Sequence, residues 1–183
     1  MDIEQIENFL GNSTEEQRKE FMLNYRIESF KRGDFDFIVN GIANNSEGIF
    51  VKGEEATHLK QKQALEILTE NRYDQFLYGG AAGGAKSFTG MCWVVFSALA
   101  YSNTRYFIAR NELKDIRESV LVTFGEVCDF FGIKGYKYNS VLNFIKFDNG
   151  SEINLIEVKY KPSDPEYKDV GSTLYTSGWF EEV

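Results

Sequence analysis

The chain has 183 residues, a formal net charge of −8, 43% hydrophobic and 26% charged side chains. That balance excludes a disordered chain and suits a globular domain with a sizeable core. Its longest apolar run, Met91–Ala100, is half of the roughly 20 residues a membrane-spanning helix needs, so no membrane partner is expected.

The acidic N-terminus MDIEQIENFL has neither a basic region nor a cleavage site, so no signal peptide is read there. Cys92 and Cys128 fall inside predicted helices. They read as small buried hydrophobes in a reducing, cytoplasmic setting and not as a disulfide framework. Residues 1–60 carry −5 of the net charge. Such a surface has little with which to neutralise phosphates, so this chain is not expected to grip DNA strongly itself.

In chain order, Ser13 looks like an N-cap with Glu16 three residues on, opening a helix that ends near Gly33. The Gly/Asn-rich stretch 33–48 is too broken for a long element. Residues 1–57 are therefore read as a helical or irregular N-terminal appendage or lid. Residues 58–183 are read as a core domain. Its predicted elements begin with a helix over Leu59–Glu70 and a short strand, Asp74–Tyr78, running into glycines. A buried helix over Lys86–Ser102 and a strand over Thr104–Ala109 follow. The spacing of Leu113, Ile116, Val120, Phe124, Val127 and Phe131 predicts a helix over Asn111–Phe131 that Gly132 closes. Val141–Phe147 and Glu152–Val158 read as a hairpin around Asp148-Asn149-Gly150-Ser151, and a last strand runs into Glu181 and Glu182. The expected class is α/β: a mainly parallel sheet of the P-loop NTPase type, flanked by helices, with a β-hairpin excursion.

Gly79–Ser87 reads GGAAGGAKS. Within it, Gly80, Ala81, Ala82, Gly83, Gly84, Ala85, Lys86 and Ser87 match the phosphate-loop pattern G-x-x-x-x-G-K-[ST] except at Ala85, where the pattern has glycine. Small residues let backbone N–H groups turn toward a phosphate, and the following helix adds its positive end. Lys86 would reach the β- and γ-phosphates of ATP, and the Ser87 hydroxyl would coordinate Mg²⁺. Ala85 is expected to be tolerated if its φ is negative. About ninety-five residues on, Glu181 and Glu182 fit the acidic pair of an ATPase. Glu181 would hold Mg²⁺ through water, and Glu182 would be the general base. The competing reading is a solvated acidic C-terminus.

Five segments in order resemble the first part of the ATPase domain in the large terminase subunit of tailed bacteriophages. They are HLKQKQAL (58–65), YDQFLYGGAAGGAKS (73–87), FIARNELKDIRES (107–119), FDNGSEINL (147–155) and GSTLYTSGWFEEV (171–183). The resemblance implies an ATPase that drives double-stranded DNA into a capsid, with ATP and Mg²⁺ as cofactors. Its implied partners are the small terminase subunit, the portal protein and further copies of itself. Its implied place is the cytoplasm of an infected bacterium, transiently at the procapsid portal. It further implies that Gln61 belongs to an adenine-recognising segment, with Gln63 the competing candidate and a plain helix glutamine the third reading. Arg110, just past a strand, is either a nucleotide sensor or arginine finger, or a salt-bridged loop arginine; Arg117 is the weaker candidate. An arginine inside the loop, carried by many terminases, is replaced here by Gly and Ala. A full large subunit continues past the acidic pair, so the sheet is expected to be incomplete on that side, with no nuclease site in this chain.

Two other functions stay open on the residues: a helicase-like translocase, and a non-catalytic nucleotide-binding or assembly module. The single histidine, His58, gives no support to a histidine-based metal site or a catalytic triad. Asp164, Glu166 and Asp169 read as a solvated loop, and Tyr136 and Tyr138 as strand-packing side chains.

Overall fold

The computed structural model describes residues 11–39, 59–70, 72–79, 85–160, 162–165 and 173–181. Strands β1 (Arg105–Arg110), β2 (Tyr136–Asn139), β3 (Phe144–Phe147), β4 (Glu152–Glu157) and β5 (Ser177–Phe180) form one sheet. Its order is β2-β3-β4-β1-β5. β1 pairs in parallel with β4 and β5, whereas β2–β3 and β3–β4 are antiparallel. The sheet is therefore mixed, not mainly parallel as expected. The hairpin is no excursion: its second strand is the direct neighbour of β1, which draws the antiparallel pairs into the same sheet.

Alternate residues of these strands supply one core. Tyr106 and Ile108 of β1, Ile145 and Phe147 of β3, and Ile153 and Leu155 of β4 are buried in one cluster with the helices, as the two-residue strand period requires. Helix α1 spans Glu15–Lys31, α2 Leu59–Thr69 and α3 Lys86–Ala100. After β1 come α4 (Leu113–Asp115), a π-helical turn (Ile116–Val120) and α5 (Leu121–Phe131) without interruption. The predicted single helix over this stretch is thus a composite. Gly132 closes it at φ 67°, as the sequence suggested.

α1 is capped by Thr14, one residue beyond the predicted Ser13. Thr14 Oγ1 accepts from Gln17 N, and Thr14 N donates to Gln17 Oε1 at 2.8 Å. The reciprocal pair satisfies two donors at once, which is what shifts the start. Phe30 stacks on Phe96 of α3 at 5.9 Å, and Phe37 meets Phe96 and Phe131 edge-on at 4.9 and 5.9 Å. Arg26 lies 5.3 Å over the Phe131 ring and donates to the Phe131 carbonyl. Residues 15–39 thereby share the core of the later helices, with Phe35 and Ile38 fully buried in it.

α3 is buried over most of its surface, including every residue from Met91 to Ala98, so its apolar character all round follows from its central place. Its direction is fixed at both ends. Near its C-terminus, Asn149 Nδ2 donates to the carbonyls of Ala98 (2.8 Å) and Leu99 (3.2 Å). Ser151 Oγ donates to the Tyr101 carbonyl at 2.7 Å. Asn149 and Ser151 stand just before β4, so this end of α3 lies at the amino ends of the parallel strands. Near its N-terminus, Gly90 faces Trp179 of β5 so closely that a Cβ there would sit 2.9 Å from the indole. α3 therefore runs antiparallel to β1, β4 and β5, with its first turn at their carboxyl ends.

One predicted strand is not formed. Residues 74–78 make no ladder with any described strand, and Leu77 is 93% exposed. A strand exists through its neighbours. Among the described residues, β5 is the last strand on that side of the sheet, and nothing pairs with Asp74–Tyr78.

Candidate functional site at the carboxyl edge of the sheet

In open α/β sheets, ligands bind beyond the carboxyl ends of parallel strands, where helix N-termini point. Four of the residues singled out from the sequence come to that edge. Lys86 and Ser87 open α3, Arg110 ends β1, and Glu181 follows β5. A fifth, Glu157, ends β4 directly opposite Arg110 in the β1–β4 register. Sequence reading missed it, because only the parallel pairing of β4 with β1 places it there.

The glycine loop itself falls largely outside the described residues: Gly80, Ala81, Ala82, Gly83 and Gly84 lie beyond them, whereas Gly79 is described and exposed. Ala85 is the N-cap of α3, with φ 52° and ψ 23°. The expectation of a negative φ is overturned: Ala85 adopts the left-handed conformation that glycine takes at no steric cost and that costs other residues roughly 1–2 kcal/mol. The phosphate-loop pattern has glycine at this same position. Ala85 also offers no side-chain acceptor to the first turn of the helix. Thr89 is held inside that turn, its Oγ1 donating to the Ala85 carbonyl at 2.8 Å.

Glu181 is only 7% exposed. Its backbone N–H donates to the Ala109 carbonyl at 2.9 Å, extending the β1–β5 ladder by one residue. Its partner in the predicted acidic pair, Glu182, lies outside the described residues. Among the described residues no cluster of three or more His, Cys, Asp or Glu could hold a metal by itself. Mg²⁺, however, commonly takes one or two protein oxygens and completes its shell with water and phosphate. Ser87 and Glu181 offer that hard-oxygen chemistry.

Arg110 is fixed by the helical stretch that follows its strand. Its Nη1 donates to Ser119 Oγ and lies 3.5 Å from the Asp115 carbonyl, while Ser119 Oγ donates to that carbonyl at 2.8 Å. Arg117 points elsewhere, its Nη2 donating to Asn143 Oδ1 and to the Ser140 carbonyl in the β2–β3 turn. An ion pair at 2.6 Å between Lys159 and Glu112 ties the segments leaving β4 and β1, and holds the Glu112 carboxyl below its ordinary pKa.

Of the two glutamines, Gln61 is buried near the start of α2 and Gln63 is exposed. Ala64 and Leu65 of the same helix join the core. Burial by the surrounding core pushes the Cys92 thiol well above its ordinary pKa, and desolvation pushes Cys128 up to about 12. Neither is a nucleophile. Tyr136 packs edge-on against Phe124 at 4.9 Å, and Tyr138 donates to Asn143, so both serve the hairpin. His58, Glu166 and Asp169 lie outside the described residues. Two surface grooves, of about 370 and 690 Å³, lie at the amino ends of β1 and β4 and over β2–β3, away from the carboxyl edge. No helix among the described residues is long and apolar enough to cross a membrane.

No protein-family model matches the chain, and neither the curated proteins nor the solved structures contain a significant match to it.

Proposed function

We propose that this chain binds Mg²⁺-ATP at the carboxyl edge of its sheet and is the ATPase segment of a DNA-packaging motor of the large-terminase kind. The observation that carries the reading is that Lys86-Ser87, at the start of a buried helix, and Glu181, a buried residue, both stand at the carboxyl end of the parallel strands. Supporting it from the sequence are the GGAAGGAKS segment and the ordered resemblance over residues 58–183. In this reading the loop from Gly79 to Ala85 cradles the phosphates through backbone N–H groups, and Lys86 pairs with the β- and γ-phosphate oxygens. Ser87 and Glu181 hold Mg²⁺, which supplies charge neutralisation on the phosphates. Glu182 orients and deprotonates the attacking water, and Gln61 serves the base. Double-stranded DNA, the small subunit, the portal protein and further copies of this chain belong to the assembled motor.

A nucleotide-binding module with little turnover is the second reading. It is favoured by residues 74–78, which lead into the loop without a strand ladder to fix them. Binding of a fluorescent ATP analogue to wild type and Lys86→Ala tests the shared claim. Loss of a charge-assisted contact of about 1.5–3 kcal/mol predicts affinity roughly 10- to 150-fold weaker in Lys86→Ala. Equal affinity in the two proteins removes the phosphate-loop assignment. Phosphate release by wild type then separates the ATPase from the binding module.

A further inference from the structure

The register sorts the sheet into two faces. The buried residues of β1, β3 and β4 meet helices α1, α2, α3 and α5 in one core, so these helices pack on one side of the sheet. Two rows of side chains cross the other face. Lys137, Lys146, Glu152 and Arg105 are register neighbours on β2, β3, β4 and β1, toward the amino ends of the parallel strands. One row further on stand Phe144, Asn154, Phe107 and Gly178 on β3, β4, β1 and β5.

The first row carries three cations and one acid. Glu152 pairs with both Lys146 at 3.1 Å and Arg105 at 3.4 Å. Lys137 is left directly opposite Lys146, with no ion pair among the described residues. Like charges so placed destabilise an antiparallel pair, and an anion laid across them relieves the repulsion. Both lysines and Phe144 line a groove of about 690 Å³, with Asp148 the acid among its lining residues. The second row is aromatic. Phe144 is half-buried, and Phe107 lies over Gly178, where a Cβ would strike its ring. Tyr175 and Phe180 meet Phe107 edge-on at 5.1 and 5.2 Å, and Phe180 is 56% exposed. Between Phe144 and Phe107, Asn154 Nδ2 is shielded from solvent and has no acceptor among the described residues.

We propose that this face binds single-stranded nucleic acid, with phosphates on Lys137, Lys146 and Arg105 and bases on Phe144 and Phe107. Neighbouring strands lie about 4.8 Å apart, so the basic row spans roughly 14 Å and the two rings stand roughly 10 Å apart. A few nucleotides running across the strands fill that span. Rings on an open sheet stack unpaired bases whatever their sequence, while a basic row beside them tracks the backbone. A duplex keeps its bases stacked within itself and offers the rings nothing. An acidic peptide would answer the lysines but not the aromatic row. The net charge of −8 leaves this row to supply the attraction alone, so the expected dissociation constant is about 10⁻⁴–10⁻⁶ M. The site is separate from the carboxyl edge, and it stands or falls independently of the nucleotide reading.

The test follows fluorescence anisotropy of labelled oligo(dT), oligo(U) and a duplex of equal length against the full chain at several salt concentrations. The proteins are wild type, Lys137→Gln, Phe144→Leu and, as a charge control on the helix layer, Lys19→Gln, each shown to be folded by circular dichroism. Wild type should bind single strands more tightly than duplex, the tighter of oligo(dT) and oligo(U) showing which sugar is preferred. Lys137→Gln should weaken binding about 3- to 10-fold and flatten the slope of log K against log salt by about 0.7. Phe144→Leu should weaken it about 5- to 100-fold, as for one lost stacked base, with the salt slope unchanged. Lys19→Gln should change it less than about twofold. Binding weaker than about 1 mM, or duplex bound as tightly as single strand, overturns the proposal. So does full affinity in Phe144→Leu, an equal loss in Lys19→Gln and Lys137→Gln, or displacement by polyglutamate as effective as by unlabelled oligonucleotide. Should Phe144→Leu fail to fold, the exposed Lys137 decides alone, and an unchanged salt slope in Lys137→Gln overturns the site.

Discussion

Gly90→Ala and Gly125→Ala are the same substitution made in the interiors of two helices, and the structure separates their outcomes. Each gains about 0.8–1 kcal/mol from the better helix propensity of alanine. At Gly125 in α5 the added Cβ has no heavy-atom neighbour within 4 Å, so that gain is kept. At Gly90 in α3 it would sit 2.9 Å from Cε2 and Cζ2 of Trp179. An indole is rigid and this one packs against the core, so α3 and β5 must separate by several tenths of an ångström. Overpacking of that kind costs about 1–3 kcal/mol. Gly125→Ala is therefore expected to be more stable than wild type by about 0.5–1 kcal/mol, and Gly90→Ala to be neutral to about 2 kcal/mol less stable. Urea unfolding followed by circular dichroism measures both. For a chain of this size each kcal/mol corresponds to about 2–4 °C in Tm. Because Trp179 is two residues before Glu181, Gly90→Ala should also weaken Mg²⁺-ATP binding, and Gly125→Ala should not. Equal stabilisation by both substitutions would refute the close packing of α3 on β5, and with it the placement of the start of α3 at the edge of the sheet where Glu181 stands.

The remaining predictions concern the far end of α3 and the two thiols. Asn149→Ala removes both donors to the last carbonyls of α3 and should cost about 1–3 kcal/mol in urea unfolding; Asn149→Asp, which keeps the shape and loses the donor, should recover little. Ser151→Ala, at a fully buried site, removes one of the two donors to the Tyr101 carbonyl, Thr104 Oγ1 being the other, and takes from Thr104 N its side-chain acceptor; a loss of about 1–3 kcal/mol is expected. Cys92 and Cys128 should resist a thiol reagent at pH 8 in the native protein and react promptly in urea. Both thiols have folded pKa values above the unfolded value of about 9, so the stability they contribute is complete below pH 9. For Cys128 it is lost as pH rises from about 9 toward about 12, at up to roughly 1.4 kcal/mol per pH unit, and Cys92, whose thiol burial also raises, acts in the same direction. Stability that is flat from pH 9 to 11 would show that the thiols are not desolvated.

The helices were legible in the sequence because each carries its own signal. Apolar residues at helical spacing located α2, α3 and α5, and Asn149-Gly150 located the β3–β4 turn, where Gly150 has φ 86°. The α1 start was displaced by one residue, since Ser13 and Thr14 are equivalent cap types and only the reciprocal bonding with Gln17 selects Thr14. The π turn had no signature, because Ile116 and Val120 fit a regular helix as well.

For the site, residue type and order were enough to single out Lys86, Ser87, Arg110 and Glu181, since the phosphate-loop pattern and a terminal acidic pair are local features. Three things were decided only by tertiary structure. The strand pairing made the sheet mixed and brought Glu157 opposite Arg110. The absence of a ladder left Asp74–Tyr78 without strand structure despite its composition. The parallel pairing of β5 with β1 carried Glu181 to a buried place at the same edge as the start of α3. The reason is common to all three. A sequence window records what a segment can do alone, whereas strand order, strand existence and the burial of a charge depend on residues fifty to a hundred positions away.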